Sequence, residues 1–123
     1  MRYLPAIPRS LLALTLLVPS AVGAQPALER SPFQRLDSLP PRALNFLAMR
    51  AKSADRVAAQ EAEWRRWAAA SPMAPAPRLA LAELARFDLR YDDGLAWADS
   101  AARLATTALW RSAVARERLA SRL

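Results

Sequence analysis

Residues 77–105, PRLALAELARFDLRYDDGLAWADSAARLA, decide the fold. Leu81, Leu84, Ala85 and Leu89 recur at three- and four-residue spacings, which predicts one apolar stripe of a helix that Pro77 can open. The pattern breaks at Arg90-Tyr91, where Asp92 or Asp93 offers an N-cap. Leu95, Ala98, Ala101, Ala102, Leu104 and Ala105 then predict a second helix. Nothing alternates with the period of a strand. After residue 24 the only valines are Val57 and Val114 and isoleucine is absent, so a sheet has little to build from. Alanine, leucine, arginine and glutamate dominate instead, all good helix formers. The expected fold class is all-α, with short antiparallel hairpins stacked as a solenoid or a small bundle of four to five helices.

Upstream, Ser71-Pro-Met-Ala-Pro-Ala-Pro77 carries three prolines that cannot continue a helix, so the chain must turn there. Before it, Ser38 offers an N-cap with Pro40 and Pro41 tolerated in the first turn. Leu44, Leu47, Ala48 and Ala51 then mark a helix to about Lys52. Ser53 offers the cap for a helix over 54–70, with Val57, Gln60 or Glu61, Trp64 and Trp67 on one side; the alternative is one bent helix across both. Downstream, Thr106-Thr107 precedes a helix carrying Leu109, Trp110, Ala113 and Val114 and ending in an arginine-rich segment. Residues 25–39, with Pro26 and Pro32 breaking any period, are expected to be an extended leader to a helical domain at 40–123.

Residues 77–105 resemble a tetratricopeptide repeat, a helix hairpin of about 34 residues that stacks into solenoids. Leu81-Ala82 looks like the family's Leu-Gly pair, Tyr91-Asp92-Asp93-Gly94 like its Tyr-Asp-Glu-Ala start of the second helix, and Ala101 stands where the family places a small residue. A shift of 34 gives a fainter copy, with Leu47, Ala48 and Ala51 under Leu81, Ala82 and Ala85, so the resemblance covers about residues 41–105. Arg78 replaces an aromatic, Ala85 a tyrosine and Thr106 a closing proline. The resemblance implies close helix contact at Ala82, Gly94 and Ala101, larger side chains beside it at Leu84, Leu95 and Leu104, and a protein-binding role, with the last helix as a cap or the chain as the N-terminal part of a longer array.

The first 24 residues read as a cleavable secretory signal. Arg2 and Arg9 form a basic start, Leu11 to Val18 an apolar run between Pro8 and Pro19, and Ala21-Val-Gly-Ala24 a small-residue cleavage site. The apolar run is far short of the ~20 residues that span a bilayer. Cleavage leaves about 99 residues, one small domain. The net charge of +7 falls to about +5 with Arg2 and Arg9 gone. Lys52 is the only lysine; together with the alanine content this arginine bias fits a GC-rich bacterial genome, hence a periplasmic or extracellular destination.

With no histidine and no cysteine, imidazole-based triads, thiol nucleophiles, disulfides and ordinary zinc or haem ligation are excluded. One glycine beyond residue 24, Gly94, rules out phosphate-cradling loops. Asp88, Asp92 and Asp93 cluster, but no glycine-punctuated calcium loop surrounds them, so capping and a solvated turn are their expected roles. Glu61 pairs with Arg65 at i,i+4. Trp64, Trp67, Trp97 and Trp110 are expected in the core. No catalytic residue, cofactor or metal is expected. The candidate partner-binding residues are Arg111, Arg116, Arg118 and Arg122. Export disfavours nucleic acid for this charge and points to another envelope or periplasmic protein, with an anionic lipid surface as the alternative.

Overall fold

A computed structural model of the protein describes residues 31–123; the expected signal segment and residues 25–30 of the expected leader lie outside the described residues. These fold into six helices and no strand among the described residues: α1 Gln34–Asp37, α2 Pro41–Ser53, α3 Val57–Ala70, α4 Pro75–Phe87, α5 Tyr91–Leu104 and α6 Ala108–Arg122. The class is all-α, as the spacing predicts. The five longer helices match the five stripes read from the sequence, and α1 is the addition. It lies where an extended leader was expected to run to Leu39. Asp37, its last residue, accepts a hydrogen bond from Trp67 Nε1 at 2.8 Å, so the turn is tied to α3.

The helices recur at one spacing. α2 starts at Pro41 and α4 at Pro75, and α3 starts at Val57 and α5 at Tyr91, both a shift of 34 residues. The turns repeat as well. After α2 the amides of Asp55 and Arg56 donate to the carbonyls of Lys52 and Ala51, and after α4 those of Leu89 and Arg90 donate to Arg86 and Ala85. This is the paired 5→2 and 6→1 closure of a helix whose next residue turns left-handed. Asp55 has φ 58° and Leu89 φ 64°. The interruption at Asp55 makes α2 and α3 separate helices rather than one bent one. α6 continues in the same phase: Leu79, Ala80 and Glu83 of α4 and Ala113, Val114 and Glu117 of α6, each pair 34 apart, are all buried.

Several helix boundaries differ from expectation. Ser53 ends α2, and Arg56 stands at the N-cap of α3. Pro40, not Ser38, caps α2; the Ser38 hydroxyl donates to Arg35 O at 2.8 Å. Pro75, not Pro77, opens α4, since both fit a first turn. Arg90 precedes α5, and Asp92 and Asp93 sit inside its first turn, where they face the positive end of the helix dipole. Thr107 does cap α6, accepting from Trp110 N at 3.3 Å. Leu89 is no part of the stripe: its left-handed backbone turns the side chain outward, 69% exposed.

Helix α4 is the centre. It packs most extensively on α5, then on α2, and also on α3 and α6. From Ala76 to Ala85 every residue except Arg78 is buried. A helix apolar nearly all round belongs inside, and α4 is one except for Arg78, Glu83 and Arg86. Small residues set the α4–α5 approach: a Cβ at Gly94 would lie 3.1 Å from Ala82 O, and Ala98 and Ala101 of α5 are fully buried. Leu84 is buried beside the contact, while Leu95 and Leu104 are half-buried. Trp64 and Trp67 join the core as expected. Trp97 and Trp110 are half-buried, the former under the Arg65 guanidinium at 5.3 Å.

Leu89→Gly removes a β-carbon from a left-handed residue without removing a buried contact, and is expected to raise stability by about 1 kcal/mol in urea unfolding. Gly94→Val, which drives a branched side chain into the Ala82 carbonyl, is expected to cost about 1–3 kcal/mol in the same measurement.

Candidate functional site: a polar groove across α2, α4 and α6

Three helices that no loop joins directly, α2, α4 and α6, line a groove of about 270 Å³. Arg42 and Asn45 come from α2, Glu83 and Arg86 from α4, and Arg116 and Glu117 from α6; Pro41, Ala113 and Ala120 complete it. The repeat spacing explains the placement. Glu83 and Glu117 are 34 apart and occupy the same position on α4 and α6, Glu83 facing Asn45 of α2 and Glu117 facing Arg86 of α4.

Both carboxylates are buried, Glu83 with 6% and Glu117 with 3% of the residue exposed. Glu117 is compensated: Arg86 Nε donates to its Oε2 at 2.8 Å and Ser121 Oγ at 3.1 Å. This pairing raises the Arg86 pKa and keeps the guanidinium charged. Glu83 is only half satisfied. Asn45 Nδ2 donates to its Oε2 at 3.2 Å, and its Oε1 is buried without a partner. Burial first, and the negative charge of Glu117 second, push the Glu83 pKa up to about 8, against the opposing pull of the Asn45 hydrogen bond and of Arg86 and Arg116. At neutral pH Glu83 is therefore mainly protonated and can donate. Arg42, Arg86 and Arg116 then face one ionised carboxylate, and the groove is net positive. Its guanidinium and amide donors offer recognition of an anionic or hydrogen-bond-accepting group.

The four arginines singled out from the sequence do not form one patch. Arg116 lines the groove with Arg42 and Arg86. Arg118 and Arg122 flank Leu119 elsewhere on α6, and Arg111 shares a neighbouring hollow with Arg118. Residues 111, 118 and 122 are spaced by seven and four and share a side; 116 is offset by five from 111 and lands elsewhere. Arg118 Nε lies 3.0 Å from Asp99 Oδ1 of α5, an ion pair by distance whose two atoms lack the alignment of a hydrogen bond. Charge alone could not show this division.

The acidic cluster takes structural roles. Asp88 is held by Lys52 at 3.0 Å and Arg90 at 2.9 Å, and Arg90 also reaches Asp93 and Glu61. The Lys52 and Arg90 hydrogen bonds hold the Asp88 carboxyl below its usual range. The Glu61–Arg65 pair is present at 2.9 Å. No group of three potential metal ligands occurs among the described residues. Glu83 was missed by the sequence reading, although a glutamate inside an apolar stripe, one repeat from Glu117, was a usable signal.

No protein-family model, curated protein or solved structure matches the chain.

The sign of the Glu83 effect fixes its pH dependence. The folded carboxyl holds its proton to about pH 8, whereas the unfolded one releases it near 4.5, so between these values the folded state binds more protons. Its contribution to stability is complete below about 4.5 and is lost as pH rises to 8, with a slope approaching ~1.4 kcal/mol per pH unit. Glu83→Gln is expected to flatten the dependence of Tm on pH between 5 and 8 in thermal melts followed by circular dichroism; an unchanged profile assigns the slope elsewhere.

Proposed function

We propose that the chain, after removal of residues 1–24, is an exported, non-enzymatic module of tetratricopeptide-like hairpins that binds another protein in the periplasm or cell envelope. The observation that carries this reading is the groove built at one repeat spacing, in which side chains from α2, α4 and α6 converge on a net positive, partly unsatisfied polar surface. The 34-residue recurrence of helix starts, left-handed turns and buried positions supports the likeness to the repeat family. The lining, rich in guanidinium and amide donors, supports binding of an anionic partner. Its chemistry fits an acidic segment, whose carboxylates would meet Arg42 and Arg116 at the rim and the donor groups of Asn45 and Glu83 inside. Among the described residues no helix is long and apolar enough to cross a membrane.

Affinity capture from envelope extract, run in parallel with the wild-type chain and Arg42→Glu, tests the reading. Arg42 is exposed, so its reversal leaves the core intact. A discrete protein retained by the wild type and reduced about tenfold or more by the variant is the expected result, in line with the ~1.4 kcal/mol that a tenfold change represents. Identical retention by both, or retention of anionic vesicles alone, would sink it.

A further inference from the structure

The 34-residue spacing allows α6 to be compared with the two helices it repeats. Leu47, Ala48 and Ala51 of α2 correspond to Leu81, Ala82 and Ala85 of α4, and these to Ala115, Arg116 and Leu119 of α6. In α2 and α4 the triplets are buried or half-buried, and in α4 Ala82 lies against Gly94 of the helix that follows. In α6 all three are exposed, Leu119 to 62%. Among the described residues only its arginine edge is engaged: Arg118 lies 3.0 Å from Asp99 of α5, and Arg111 Nε donates to Ala105 O at 3.4 Å.

The uncovered side has the layout of a helix-pairing seam. Ala108, Ser112, Ala115 and Leu119 recur at spacings of four, three and four, the period of a and d positions. All four are exposed. With Ser112 and Leu119 at a, Arg111 and Arg118 fall at g and Arg116 at e, so arginines edge the seam on both sides. Such edges select the charge of a partner helix. The seam is made mainly of small residues, like the Ala82–Gly94 contact that lets α4 and α5 approach closely. Lipid insertion needs bulky apolar side chains, and Ala108, Ser112 and Ala115 supply almost no depth. A second copy seated α6 to α6 would set Arg111, Arg116 and Arg118 against their counterparts.

We infer that the exposed seam of α6 docks one amphipathic helix of another protein, with large apolar residues at its a and d positions and aspartate or glutamate at e and g. The surface is separate from the body of the groove, and the two share only Arg116 at their border. The incoming helix occupies the place relative to α6 that α5 occupies relative to α4. Its leucines fill the space above Ala115 and Ser112, and its carboxylates pair with the exposed Arg111 and Arg116 on the two edges.

The test is fluorescence anisotropy with the full chain and a labelled synthetic helix of three heptads, leucine at a and d and glutamate at e and g, beside a control with lysine at e and g. Saturable binding of the glutamate peptide is expected, with none of the lysine peptide. Leu119→Glu is expected to weaken binding about tenfold or more and Arg111→Glu several-fold. Both α6 positions are exposed, and matching circular dichroism melts would show that the variants fold. The inference is overturned if the glutamate peptide does not bind, if Leu119→Glu binds it as the wild type does, or if Arg42→Glu abolishes binding, which would assign the peptide to the groove. It is overturned equally by Leu119-dependent self-association in sedimentation velocity, or by Leu119-dependent binding to phosphatidylglycerol vesicles without peptide binding. A failure here with capture still sensitive to Arg42 leaves the groove reading standing.

Discussion

Helix α4 has neighbours on nearly every side, and a helix in that position accepts few side chains. Between Ala76 and Ala85 it presents alanine and leucine to α2, α3, α5 and α6, and only Arg78 remains half-exposed, its guanidinium donating to the carbonyls of Ser71 and Ala74. Each fully buried leucine there contributes roughly 1.5–3 kcal/mol. The alanines do something different: they set the interhelical distance. A glycine at position 94 and an alanine at 82 bring α5 so close that the missing Cβ would touch backbone. Other contacts follow from that spacing, because α6 packs on α5 and on the far side of α4 at once. With no disulfide available, this packing is the chief constraint holding the helices together.

The polar links add register rather than bulk stability. Asn45–Glu83 joins α2 to α4, Arg86–Glu117 joins α4 to α6, and Arg90 with Glu61 joins the start of α5 to α3. In each case the partners are about 30 or more residues apart, one repeat away. Apolar stripes of alanine tolerate sliding, since one alanine is much like the next. A charged pair at 2.8 Å does not, so a shift of one turn would leave Glu117 buried and alone. The groove arises as a consequence. Carboxylates placed to fix helix register must be partly buried, and the one that is incompletely paired, Glu83, becomes the proton-holding group at its floor.

Much of the fold was legible because its determinants are local. Prolines at 72, 75 and 77 end one hairpin, stripes of period 3.6 mark the helices, and the shift of 34 aligns Leu47, Ala48 and Ala51 with Leu81, Ala82 and Ala85. The boundaries were less legible, since Ser53, Asp92 and Asp93 are good caps in isolation. The left-handed turns at Asp55 and Leu89 override them, because each closes the preceding helix and the next begins two residues after the turn, at Val57 and at Tyr91. The candidate site was the least legible part. Its residues come from three helices, and their convergence depends on how far apart α4 holds its neighbours. Arginine count suggested a single patch on α6; helical phase divides it between the groove and the seam.

That division gives the two ends of the array different character. At the α2 end, α1 is tied down through Asp37 and Trp67, and the exposed side chains of α2 include Arg42, Arg50 and Lys52. At the α6 end the seam is open and also edged by arginine. A head-to-tail stack of copies would therefore bring basic edges together, with Phe46 already covered in part by the Arg50 guanidinium at 5.8 Å. Repeats that stack within this chain do so through small residues and opposite charges, as Lys52–Asp88 and Arg90–Glu61 do. Among the described residues, copies have no matching acidic edge to offer at α2. The like charge of the two ends disfavours open-ended polymerisation and leaves the α6 seam suited to one incoming helix whose charge is the reverse of its own.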